Sequence, residues 1–144
     1  SDMLELIPLI QGDTATTISV AQMIDKYLEV TANVTFPQRI EGIVLQNVLQ
    51  WLNSENLDIR CIAARILLTL ARNPENEIIV NRRLLSLIDT ECVYIKNMLL
   101  RRIEKAKGIS EKTREYIYSK CDVDPCYVVR MVCAEVKGEP PEEA

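Results

Sequence analysis

The sequence predicts an all-α fold, an α-solenoid of about four stacked helical hairpins, and three observations carry that prediction. First, one phrase recurs three times: Asn53-Ser-Glu-Asn-Leu-Asp-Ile-Arg60, Asp89-Thr-Glu-Cys-Val-Tyr-Ile-Lys96 and Asp122-Val-Asp-Pro-Cys-Tyr-Val-Val-Arg130. Each copy is a short polar turn closed by a β-branched residue and a base. The bases at 60, 96 and 130 lie 36 and 34 residues apart, a period typical of helical pairs that bury their apolar faces only by stacking. Second, apolar residues recur at three-and-four spacing on both sides of each turn, which is the period of an amphipathic helix. Third, 144 residues of which 48% are hydrophobic, with only four glycines and six prolines, give long uninterrupted elements and enough apolar surface for one continuous core.

The elements follow in order. An opening, looser copy has Leu4, Leu6, Ile7, Leu9 and Ile10 before Gly12-Asp13, then Ile18, Ala21, Ile24, Tyr27 and Leu28 after it. It lacks the base, as suits a terminal repeat with one neighbour. The β-branched, polar stretch Thr31 to Thr35 reads as a loop. Pro37 sits where a first-turn proline is tolerated, and Ile40, Ile43, Val44, Asn47, Val48 and Trp51-Leu52 form the stripe of the next helix. After the turn from Asn53 to Asn56, a second stripe of Ile59, Ile62, Ala63, Ile66, Leu67 and Leu70 ends near Asn73-Pro74, with the small Ala63 and Ala64 allowing close helix approach.

The following hairpin is expected to bury Ile78, Ile79, Leu84, Leu85 and Ile88, then Ile95, Met98, Leu99 and Ile103, with Glu75 and Glu77 at its opening, where the helix dipole favours acids, and Gly108 as its stop. In the last hairpin Ser110 is the expected cap. Tyr116, Ile117 and Cys121 are the apolar positions before the turn, and Val129, Val132, Cys133 and Val136 those after it. Residues 3–137 thus read as a single repeat domain, and 138–144, with two prolines and three acids, as a frayed acidic tail.

Taken together these residues resemble the HEAT-repeat (armadillo-like) family. The resemblance rests on Trp51-Leu52 with Ile59-Arg60 and Ala63-Ala64, on Leu87-Ile88-Asp89 with Ile95-Lys96, and on the Asp122-Val-Asp-Pro turn with Val129-Arg130 and Ala134. It covers roughly Leu4 to Lys137. It departs from the family pattern at the missing first base, at Lys96 in place of arginine, and at Met98 to Leu100, where small residues are usual. The resemblance implies a right-handed superhelix whose second helices line a concave side.

Composition bounds the function. A formal net charge of −4 argues against a general polyanion binder, because such affinity comes from neutralising phosphates with Lys and Arg. Charge is nevertheless uneven: from Lys96 to Lys120 eight bases face three acids, whereas Asp2, Glu5, Asp13, Asp25 and Glu29 face only Lys26 before Phe36. The absence of histidine removes Ser-His and Cys-His catalysis and the commonest neutral metal ligand. No Cys-x-x-Cys pair occurs among Cys61, Cys92, Cys121, Cys126 and Cys133, which read as reduced thiols on helices, and the single glycines form no phosphate loop. No catalytic residue, metal or cofactor is therefore expected, and the reading is not that of an enzyme. The lack of a spanning apolar run or a secretion signal leads to an expected cytoplasmic location with no membrane partner.

Arg60, Lys96 and Arg130, recurring at the repeat period, are expected to form a ladder to acids of adjacent turns such as Asp58, Asp89 and Asp122. The candidate binding residues lie beside that ladder: Arg65, Leu68 and Arg72 on one second helix, and Asn97, Arg101 and Lys105 on the next. Such a mixed basic and apolar strip suits an acidic, partly apolar peptide segment or protein surface. The expected function is a non-catalytic protein-interaction scaffold. The alternative is a nucleic-acid-binding module using the basic segment 96–120, near which Tyr94, Tyr116, Tyr118 and Tyr127 either stack bases or pack between helices.

Overall fold

The computed structural model describes residues 14–31, 38–140 and 142, and every structural statement concerns these residues. Seven α-helices follow one another: α1 (Thr14–Val30), α2 (Gln38–Trp51), α3 (Leu57–Leu70), α4 (Glu77–Thr90), α5 (Val93–Ile103), α6 (Glu111–Asp122) and α7 (Tyr127–Lys137), with a single 3-10 turn, Pro74–Asn76, ahead of α4. No strand occurs among the described residues. The expected opening helix around Leu4 to Ile10 and the loop residues 32–35 lie outside them.

Helix ends are specified locally. Asn56 caps α3 by accepting from the Ile59 amide at 3.0 Å, Asn73 accepts from the Glu75 amide at the 3-10 turn, and Ser110 accepts from the Thr113 amide. Each satisfies an amide that the helix itself leaves unpaired. Gly138 takes a left-handed conformation and ends α7. Gly108 is also left-handed, and a Cβ there would lie 1.9 Å from the Ala71 carbonyl oxygen. Glycine at 108 therefore lets the α5–α6 loop lie directly on the end of α3. Asn81 fastens the same loop, donating to the Gly108 carbonyl and accepting from the Ser110 amide.

Packing follows chain order. α1 packs on α3, α3 on α5 and α5 on α7, while α4 packs on α6, and α2 with α3 and α6 with α7 form paired helices. α3 is the most enclosed: nine of its residues are buried, including Ala63, Ala64, Ile66 and Leu67. The core runs on through Leu84, Ile88, Ile95, Leu99, Ile103, Ile117, Val129 and Cys133. Three apolar positions expected from the spacing are corrected: Ile78 is 72% exposed, Ile79 47% and Tyr27 45%. The register of α4 is set by Val80, Leu84, Leu87 and Ile88, which are buried, and that register turns 78 and 79 outward.

The ladder of bases is present, with different acids from those expected. Arg60 Nε donates to Glu91 at 3.2 Å, and Lys96 Nζ to Asp124 at 2.6 Å. Each of these carboxylates also accepts the amide that opens the following helix, Cys92 for Glu91 and Cys126 for Asp124. One acid thus fixes a helix start and ties it to the preceding base. The two arginines additionally hold carbonyls of their own turns: Arg60 Nη1 those of Ser54 and Glu55, and Arg130 Nη1 that of Asp124. Lys96, a single point donor, does only the first job. Arg130 takes its acid from the tail, where Glu142 accepts at 3.1 Å. Asp89 and Asp122 serve elsewhere, accepting from Tyr116 and Lys120 and from Lys137 respectively.

Candidate functional site

Because α3 and α5 are neighbours, their C-terminal ends lie side by side and enclose a cleft of about 420 Å³. From α3 and its end come Arg65, Leu68, Thr69 and Arg72; from α5 and the loop after it come Arg101, Arg102, Lys105, Ala106 and Lys107. Six of these nine side chains are cationic, and none is acidic. In a chain with a net charge of −4 this is a local reversal of sign, and a concave low-dielectric wall focuses the field of its charges into the opening.

The cations differ in how firmly they are committed. Arg65 pairs with Asp25 of α1 at 2.9 Å. Burial pushes the Asp25 carboxyl above its ordinary range, and the charges of Arg65 and Arg102 oppose that rise without cancelling it. Arg72 reaches across to the C-terminal end of α1, where its Nη1 donates to the Leu28 and Thr31 carbonyls, each at 3.1 Å. A guanidinium there meets carbonyls left over by the helix and the negative end of its dipole. Arg101 makes an exposed pair with Glu135 of α7 at 3.2 Å. Arg102, Lys105 and Lys107 form no ion pair among the described residues and are exposed.

Of the six residues expected from the sequence, Arg65, Leu68, Arg72, Arg101 and Lys105 therefore meet in one cleft. Leu68 is corrected from an outward position to a buried one, 4% exposed, because α3 has packed neighbours on both sides. Asn97 is half-buried and does not line the cleft. Arg102, Thr69, Ala106 and Lys107 were missed. Lys107 lies in no helix, so helical spacing could not place it; the backbone approach at Gly108 brings its loop onto α3.

The bases of segment 96–120 are not gathered at one place. Only Arg101, Arg102, Lys105 and Lys107 face the cleft, while Lys96 belongs to the ladder, Arg114 pairs with Glu111, and Lys120 pairs with Asp89. Lys112 lines a second, larger groove of about 850 Å³ between α4 and α6, together with Ile78, Leu85, Ile109 and Tyr116. Tyr116 and Tyr118 are half-buried and donate to Asp89 and Glu104, whereas Tyr94 and Tyr127 are exposed.

All five cysteines are free thiols. No group of three or more Cys, His, Asp or Glu among the described residues is arranged to hold a metal ion, and no helix among them is long and apolar enough to cross a membrane. The chain matches no protein-family model, no curated protein and no solved structure, so a functional reading rests on its own geometry.

Proposed function

We propose that this chain is a non-catalytic interaction module, a HEAT-like α-solenoid whose second helices, α3 and α5, dock an acidic, partly apolar segment of a partner protein. The single observation that carries the reading is the convergence of six cations on one cleft floored by Leu68 and Ala106. Opposite charge steers the encounter, and the apolar floor supplies contact area that salt does not screen. The solenoid part of the reading draws support from the chain-order packing of α1, α3, α5 and α7 and from the rungs that join successive turns.

Nucleic acid is the competing ligand. Against it stand the division of the 96–120 bases between the cleft, the ladder, the second groove and two separate ion pairs and the net charge of −4. A display library of acidic and neutral peptides tests the proposal, with duplex DNA as a parallel probe. Acidic peptides carrying apolar residues should be enriched by the wild-type chain. The triple reversal R102E/K105E/K107E should abolish that enrichment with helicity unchanged, since none of the three holds an ion pair in the fold. Enrichment that survives the triple variant, or binding of duplex DNA alone, contradicts the reading.

A further inference from the structure

We infer that the basic cleft is a phosphate-reading site, built to take the phosphoryl group of a phosphorylated side chain on the docking segment. This rests on the docking reading above and specifies its anchor. Charge is the first argument. Arg65 and Arg101 each have a carboxylate partner, Asp25 and Glu135, and Arg72 is engaged at the end of α1, which leaves Arg102, Lys105 and Lys107 with no ion pair among the described residues around one opening. A side-chain carboxylate brings one negative charge, whereas a phosphoryl group brings roughly 1.5–2 and three acceptor oxygens.

Donor chemistry is the second argument. Arg102 offers a planar fork suited to two phosphate oxygens at once, and Lys105 and Lys107 offer mobile point charges that can close over the group. These three make no hydrogen bond or ion pair among the described residues, while Arg65 and Arg72 are held by Asp25 and by the Leu28 and Thr31 carbonyls. A fixed wall and adjustable donors thus sit together.

Shape and surroundings select a single phosphoryl group over a polyphosphate chain. A volume of about 420 Å³ lies at the small end of ligand-sized pockets. The exposed Glu135 beside Arg101 and the exposed Glu29, close enough to act on Asp25, place negative charge next to the cleft. An extended nucleic-acid backbone would run against these acids, whereas one phosphorylated side chain enters between them.

The test uses short synthetic acidic peptides with apolar flanks, each made with serine, phosphoserine or glutamate at the central position, titrated against the full chain by fluorescence anisotropy. The phosphoserine form should bind at least about tenfold more tightly than the glutamate form. The variant R102Q/K105Q/K107Q should bind both forms equally and weakly while keeping its circular dichroism spectrum. Equal affinity of wild type for the phosphoserine and glutamate forms overturns phosphate reading and leaves peptide docking standing. Failure of every form to bind overturns both. A phosphoserine preference that persists in the triple variant, or tighter binding of an oligonucleotide that weakens steeply with salt, also rejects the assignment.

Discussion

Lys96 Nζ donates to Asp124 Oδ2 at 2.6 Å while the other oxygen of Asp124 accepts the Cys126 amide at 2.8 Å. One carboxylate thereby holds the start of α7 against the start of α5. Burial pushes the Asp124 carboxyl up, but the hydrogen bonds from Lys96 and Cys126 and the charges of Lys96 and Arg130 outweigh it, and the group titrates below its ordinary value of 3.8.

Asp124→Asn should cost about 1–2 kcal/mol at neutral pH, because Lys96 loses its charged partner in a site partly screened by solvent. The folded carboxyl titrates below the unfolded one, so its contribution is complete above the unfolded value and is lost as pH falls through the folded value. Urea unfolding of both proteins across acidic pH checks this: the difference should narrow as the wild-type carboxylate protonates. A difference that stays constant to the lowest pH would remove the charge as its cause.

Gly108→Ala should destabilise by roughly 2–4 kcal/mol, combining a left-handed backbone with overpacking. The added methyl meets the Ala71 backbone rather than a flexible side chain, so the loop must move, and Lys105 and Lys107 move with it. Thermal unfolding measures the first effect and peptide affinity the second. A variant of wild-type stability and affinity would mean that the contact does not position the cleft.

Asn73→Ala should cost about 1–3 kcal/mol. Asn73 donates to Glu41 Oε2 at 2.7 Å and to Gln38, and its own oxygen caps the turn before α4. Glu41 is 1% exposed, and its other oxygen has no hydrogen-bond partner among the described residues, so removing Asn73 leaves a buried carboxyl with less support. The double variant with Glu41→Gln should recover part of the loss in chemical denaturation, and strictly additive effects would deny the coupling.

Thiol labelling at mildly alkaline pH should modify Cys92 first, since it is exposed at the start of α5. Cys121 and Cys133 should resist until the chain unfolds. Burial pushes Cys121 up to about 11. Burial and the hydrogen bond to Asp122 push Cys133 up to about 12, so little thiolate exists to react. Mass spectrometry of a labelling time course separates the sites, and early modification of Cys133 would contradict its packing.

Much of this was legible in the residues. Periodic bases revealed the rungs because a repeated structural job leaves a repeated side chain, and the stripe on α3 was readable because a helix buried against several neighbours is apolar nearly throughout. The acids were harder. Asp89 and Asp122 lie in the last turns of their helices, whereas Glu91 and Asp124 sit two residues further along, and only the path of the turn decides which carboxylate a base reaches. Ile78 and Ile79 were misplaced because an apolar pair at a helix start fits either register. The cleft was half visible: Arg65, Arg101 and Lys105 follow from helical spacing, but Lys107 joins them through a loop whose course depends on Gly108 touching Ala71.

The most direct test of the proposed docking role of the cleft is a backbone-amide NMR titration of the chain with the phosphoserine peptide. Shifts concentrated from Leu68 to Arg72 and from Arg101 to Lys107, absent in R102Q/K105Q/K107Q, are the expected result. Shifts confined to the groove around Ile78, Leu85 and Tyr116, with the cleft residues unmoved, would contradict the account.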